Sequence, residues 1–161
     1  MRRLADWAER LNAYLEACEN KPFQWGQHDC VQFACGAVEA MTGERPLPQL
    51  CGHYTTAREA ARSIAAYGEN LEAAVTAQCR QLGFVEISPL RAQRGDVVLL
   101  ATDSGDDLSI PERGALGIIG MNGLPVFVDT HELLEVPLEV VRRAWKICPE
   151  ASGLPHYTST T

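Results

Sequence analysis

The sequence predicts an α+β protein, with N-terminal helices packed on a small antiparallel sheet. Three observations carry that expectation. The first half repeats apolar residues at helical spacing and punctuates them with helix caps. After Gly83 the pattern changes to short apolar runs separated by turn residues. An Asn122-Gly123 pair then sits between two such runs, the mark of an antiparallel hairpin. Helices first and strands second is the α+β order, not the alternation of a parallel sheet.

Residues 3–18 read as an amphipathic helix. Leu4, Trp7, Ala8, Leu11, Leu15 and Cys18 share one face, and Asp6, Glu9, Arg10 and Glu16 face out. Glu19-Asn20-Lys21-Pro22 ends it. Next comes the stretch Phe23-Gln24-Trp25-Gly26-Gln27-His28-Asp29-Cys30. Its Asp29 is the N-cap of a second helix over about 30–41, with Gln32 placed as a capping-box partner. Gly43 stops that helix, and residues 44–54 form a connection containing Pro46, Pro48 and Gly52. A third helix starts at Thr56, with Glu59 completing a capping box, and stops at Gly68. A fourth runs from Asn70 to Leu82, with Gly83 beyond it; both are rich in alanine, the best helix former.

Residues 84–87 read as a short strand. Arg94-Gly95-Asp96 turns the chain into Val97-Val98-Leu99-Leu100-Ala101, an apolar run suited to a buried strand. A polar loop covers 102–113, and strands follow at 115–119 and 126–128. Residues 133–141 supply a further edge and a short turn, and 142–148 close the sheet. Residues 1–148 are expected to be a single domain, with 149–161 a turn-rich tail. There is no internal repeat.

Composition excludes several classes. A chain of 161 residues with net charge −7 and no larger basic cluster than Arg2-Arg3 and Arg142-Arg143 argues against a nucleic-acid groove. No apolar run reaches the roughly 18 residues of a membrane span. No apolar segment follows Arg2-Arg3, so no signal peptide is read, and a cytoplasmic or virion location is expected. The six cysteines contain no C-x-x-C pair, which argues against a zinc knuckle. Asp103, Asp106 and Asp107 lack the glycine and the terminal glutamate of a calcium loop and read as a solvated turn. Neither a metal nor a cofactor is expected.

Chemistry concentrates at Cys30. A cysteine in the first turn of a capped helix meets amide N–H groups and the positive end of the helix dipole, which favour thiolate over thiol. A thiolate that cleaves an amide also needs a proton carrier for the leaving amine. His131, just past the strand at 126–128, is the first choice. His28 reads as an exposed residue of the loop that could raise the positive field at the sulfur. His53 lies in a Gly52-His53-Tyr54 turn that could fold over the site, and Trp25 and Tyr54 are candidate walls of a substrate cleft.

The motifs together resemble a known family. An aromatic-x-Trp-Gly loop ending in Asp29-Cys30, then Gly95-Asp96-Val97-Val98-Leu99-Leu100 and a Leu116-Gly117-Ile118 strand, is similar to the NlpC-type papain-like cysteine peptidases. Trp25-Gly26-x-x-Asp29-Cys30, Thr42-Gly43, Gly52-x-Tyr54 and Arg94-Gly95-Asp96 most resemble a phage- and prophage-associated family within that superfamily. The resemblance covers roughly residues 5 to 147. It implies a papain-like NlpC-type fold, Cys30 as nucleophile, and cell-wall (peptidoglycan) peptides or phage tail proteins as partners. The base histidine of the active peptidases falls on Ala115 here, and the resemblance places the polar residue that orients the base around Asp129. A cysteine amidase or peptidase and a non-catalytic tail or assembly module that keeps the fold as a binding surface therefore both remain open.

Overall fold

A computed structural model describes residues 1–100 and 116–147. The expected polar loop at 102–113, Ala101, Ala115, Cys148 and the tail at 149–161 lie outside the described residues.

Four helices come first: α1 (Trp7–Cys18), α2 (Cys30–Thr42), α3 (Ala57–Ala65) and α4 (Leu71–Gln81). The strands are β1 (Val85–Ile87), β2 (Val97–Leu100), β3 (Leu116–Ile119), β4 (Pro125–Val128), β5 (Leu133–Glu135) and β6 (Val141–Lys146). They form one six-stranded sheet in the order β1-β6-β2-β3-β4-β5, and every described pairing is antiparallel. The architecture is α+β, helices on a sheet, as expected.

The helix bounds follow from their caps. Asn70 accepts from the Ala73 amide at 2.8 Å and Thr56 accepts from the Glu59 amide at 3.1 Å, each satisfying a donor that the helix start leaves orphaned. Glu59 reaches back over the helix start as expected, its carboxylate taking chiefly the Thr55 amide at 2.9 Å and the Thr55 hydroxyl, with the Thr56 amide a weaker partner. Gly43 closes α2 in the left-handed conformation, φ 84°. The first helix begins later than expected, at Trp7, because residues 3 and 4 are held elsewhere: Arg3 on Asp96 and the Leu4 amide on the Met41 carbonyl.

α2 is the central helix. Of its residues only Glu39 and Ala40 escape burial. α1 packs on one side of it, and β3 and β4 pack on another. Gly36 permits the α1 contact: a Cβ there would strike the Tyr14 ring, whose hydroxyl donates to the Phe33 carbonyl at 2.8 Å.

β2 is buried at all four positions because both sheet faces are covered. Val97 and Leu99 join the main core with α2, while Val98 and Leu100 join a second cluster with Ile119, Val141 and Ala144. Alternate side chains of a strand point to opposite faces. Short 3₁₀ turns at Pro89–Arg91 and Leu138–Val140 cap that second face. The hairpin joining β3 to β4 turns through Met121, Asn122 and Gly123, with Gly123 at φ 80°. It is a three-residue loop with its glycine last rather than the two-residue Asn-Gly turn. Residues 142–148 are expected to close the sheet; the strand formed there, β6, lies inside it, between β1 and β2.

Candidate functional site

The 23–30 stretch folds as a tight loop on the start of α2. Gln24 and His28 exchange backbone hydrogen bonds at 3.1 and 2.8 Å. Gly26 sits at its tip with φ 81°, a conformation that favours glycine. Asp29 ties loop to helix. Its Oδ1 accepts the Gln32 amide and its Oδ2 the Gly26 amide, both at 2.8 Å, and the residue is buried. One carboxylate thus caps α2 and fixes the turn before it.

A second segment closes on this loop. The Gly52 amide donates to the Gly26 carbonyl at 2.8 Å. Tyr54, 2% exposed, stands next to Asp29, and its hydroxyl accepts from Gln32 Nε2 at 3.3 Å. Burial pushes the Tyr54 hydroxyl well above its ordinary range; the Asp29 charge adds to this, and the Cys30 sulfur contributes a smaller share. Gln32 is the residue that sequence reasoning misplaced. Its side chain does not turn back to complete a capping box at Asp29. It bridges Tyr54 and Arg45 instead, its Oε1 accepting from Arg45 Nη2 at 2.8 Å. The Gly52-x-Tyr54 motif was the available signal for this closure, but no local rule names Gln32 as its partner.

Cys30 is the first residue of α2, as expected, and is 0% exposed. Trp25 is half-buried and meets Phe23 edge-on, ring centroids 4.8 Å apart. His28, expected to be exposed, is 6% exposed. Its ring lies edge-on to Phe33 at 6.1 Å, and Nε2 is buried with no hydrogen-bond partner among the described residues. Burial and, secondarily, the Lys21 charge lower its pKa from 6.5 against the opposing pull of Asp29. The imidazole is therefore neutral at neutral pH. Burial thus disfavours the imidazolium that a positive field at the sulfur would require.

His131 and Asp129 lie in the turn between β4 and β5, His131 exposed and Asp129 half-buried. The Asp129 amide donates to the Glu132 carbonyl at 2.9 Å. This turn docks beside the 23–30 loop: the Phe23 amide donates to the Thr130 carbonyl at 2.9 Å, and the Leu133 amide to the Glu19 carbonyl at 3.2 Å. His53 is exposed. The fold thus gathers Trp25, His28, Asp29, Cys30 and Tyr54 in one knot and sets the 129–132 turn against its entrance strand.

The remaining described cysteines separate cleanly. Cys51 is exposed, while burial pushes Cys35 and Cys79 up to about 12 and raises Cys18. Cys35 and Cys79 line an apolar hollow between α2, α3 and α4 with no charged side chain among the described residues of its wall. That hollow is apolar, whereas the polar groups of the candidate site are at the α2 start. Among the described residues no cluster of three or more His, Cys, Asp or Glu side chains is placed to hold a metal ion. No described helix is long and apolar enough to cross a membrane.

Among curated proteins, none matches the chain. One family model does, that of a domain of unknown function (DUF6950), over residues 2–147. That span takes in the four helices, the six strands and the Cys30 knot, and the chain belongs to the DUF6950 family.

Proposed function

We propose that this chain is an NlpC-like, papain-fold cysteine amidase or peptidase that acts on cell-wall peptides in a phage-associated setting, with Cys30 as nucleophile. The observation that supports this reading is the placement of Cys30: first residue of a buried helix, immediately after an Asp29 cap, on a helix packed against β3 and β4. The Cys30 thiolate attacks the amide carbonyl. Amides at a helix start, which have no intrahelical acceptor, hold the developing oxyanion. The C–N bond breaks and the leaving amine takes a proton. Water then hydrolyses the thioester and restores the thiol. His28, neutral and with an unpartnered ring nitrogen, and His131, on the turn docked at Phe23, are the two proton carriers at hand.

A second reading is a non-catalytic phage tail or assembly module. It is favoured by the complete burial of Cys30. The two are separated by one experiment in a Cys51→Ser, Cys148→Ser background, which removes the thiol that is exposed among the described residues and the one outside them. The rate of Cys30 alkylation is followed against pH, alongside hydrolysis of cell-wall stem peptides. The enzyme reading expects a thiol that titrates below the usual ~8.5, and turnover that Cys30→Ala abolishes. An ordinary thiol with no turnover would sink it and leave the binding module.

A further inference from the structure

We infer that the cleft between the N-terminal segment and the β3–β4 hairpin binds a small oxyanion, a carboxylate or phosphate carried by a soluble ligand. The cleft is lined by Arg3, Trp7, Gln93, Arg94, Asn122 and Gly123, among others. Its volume is about 470 Å³, a size suited to a small molecule.

It lies far from Cys30. The Leu4 amide donates to the carbonyl of Met41, near the C-terminal end of α2. At 1.5 Å per residue, α2 separates that end from Cys30 by roughly 18 Å. The inference is therefore independent of the proposed activity.

The charges do not balance at this place. Asp96 is fully buried, yet it serves two cations. Its Oδ1 accepts from Arg3 Nη2 and from Lys146 Nζ, both at 3.1 Å; its Oδ2 accepts from the Gln93 amide at 2.8 Å and from Lys146 Nζ at 3.2 Å. Arg94 is exposed and has no ion pair among the described residues. Glu135 accepts from the Asn122 side chain at 3.0 Å. The charged side chains on the cleft wall are thus Arg3 and Arg94, and the one carboxylate behind them, Asp96, is already shared between Arg3 and Lys146.

Arg3 is also held in position. Its guanidinium lies 4.3 Å from the Trp7 ring centroid, and its Nε is buried with no acceptor among the described residues. A buried N–H without an acceptor is costly. Arg3 therefore adds fixed positive charge to the wall, while the exposed Arg94 presents a guanidinium fork that matches a carboxylate or phosphate. A concave site with surplus positive charge concentrates anions.

The test is NMR on the intact ¹⁵N-labelled chain. Inorganic phosphate and, separately, acetate are titrated at ionic strength held constant with sodium chloride. The Trp7 indole and the Gly123 amide report the cleft. A saturable shift confined to the cleft is expected with at least one of the two anions. Response to phosphate, acetate or both supports the site and identifies the ligand class. Arg94→Gln should weaken binding at least about fivefold, as loss of a charge-assisted contact does. Arg58→Gln, at an exposed position on α3, should leave it unchanged. No shift with either anion, a shift that never saturates, or equal weakening by both variants would overturn the inference.

Discussion

Gly26 lies against the backbone carbonyl of Tyr54, so close that a Cβ at position 26 would run into that oxygen. The contact joins the 23–30 loop to the Gly52–Tyr54 turn, and it falls on a residue at φ 81°. Two costs therefore act on any replacement, and a second glycine separates them. Gly123 has nearly the same φ, 80°, but a Cβ at position 123 would meet nothing within 4 Å. Gly123→Ala should cost about 1 kcal/mol, the backbone term alone, and Gly26→Ala more than about 3 kcal/mol. Urea denaturation of both variants checks this. Equal losses would mean that the Tyr54 contact carries no weight.

Asp29 performs two tasks with two oxygens. Asp29→Ala should cost about 2–3 kcal/mol: roughly 1 for the lost N-cap and the rest for the buried Gly26 amide left without its acceptor. Asp29→Asn retains one acceptor oxygen and should lose about half as much. Chemical denaturation decides between them. A smaller loss in the alanine variant than in the asparagine variant would remove the clamp from the account of this loop.

The caps at Asp29, Thr56 and Asn70 were legible because each acts on an amide three residues away. Strand periods were legible for the same reason, and the apolar run at 97–100 signalled burial on both faces. Partnerships across long sequence separations were not legible. β6 pairs with β1 and β2, some 50 residues earlier, and nothing in Val141–Lys146 names its neighbours. Gln32 stood at the right spacing for a capping box, but a buried amide takes whatever partners burial brings, and here they are Tyr54 and Arg45. His28 was misjudged because loop residues are usually exposed, and its cover comes from α2 through Phe33.

That burial gives His28 a pH signature. Its folded pKa is lowered, so between the folded and unfolded values the unfolded chain binds the proton more readily. The stability this group allows is complete above its unfolded value near 6.5 and is lost as pH falls through the lowered folded value. Melting temperatures at pH 7.5, 6.5 and 5.5 should fall progressively. His28→Gln should fall less steeply over the same window. Parallel slopes for the two proteins would assign the acid sensitivity to another group.

Thiol labelling should follow burial. With N-ethylmaleimide at pH 7.5, peptide mapping should find Cys51 modified first, because it is exposed. Cys35 and Cys79, held near 12, and Cys18, also raised, should react only when the chain unfolds. Tyr54→Phe removes the hydroxyl that accepts from Gln32. It should cost about 1 kcal/mol and speed Cys30 labelling relative to Cys35 as the Gly52–Tyr54 turn loosens. An unchanged ratio of Cys30 to Cys35 labelling would show that this turn does not govern access.

The Arg94-Gly95-Asp96 segment reads in sequence as a turn, and Gly95 at φ 85° is one. Its larger role is electrostatic. Asp96 is a buried carboxylate that joins the N-terminal segment, through Arg3, to β6, through Lys146. Removing one member of a buried ionic group leaves the others uncompensated, at a cost of about 3–5 kcal/mol. Asp96→Asn should fall in that range. Lys146→Met should cost less, because its side chain is 33% exposed and Arg3 still balances the carboxylate. The double variant should lose less than the sum of the two single losses, since Lys146 contributes little once its anion is gone. Additive losses in urea denaturation would show that Lys146 acts independently of Asp96 and that Arg3 alone secures the carboxylate.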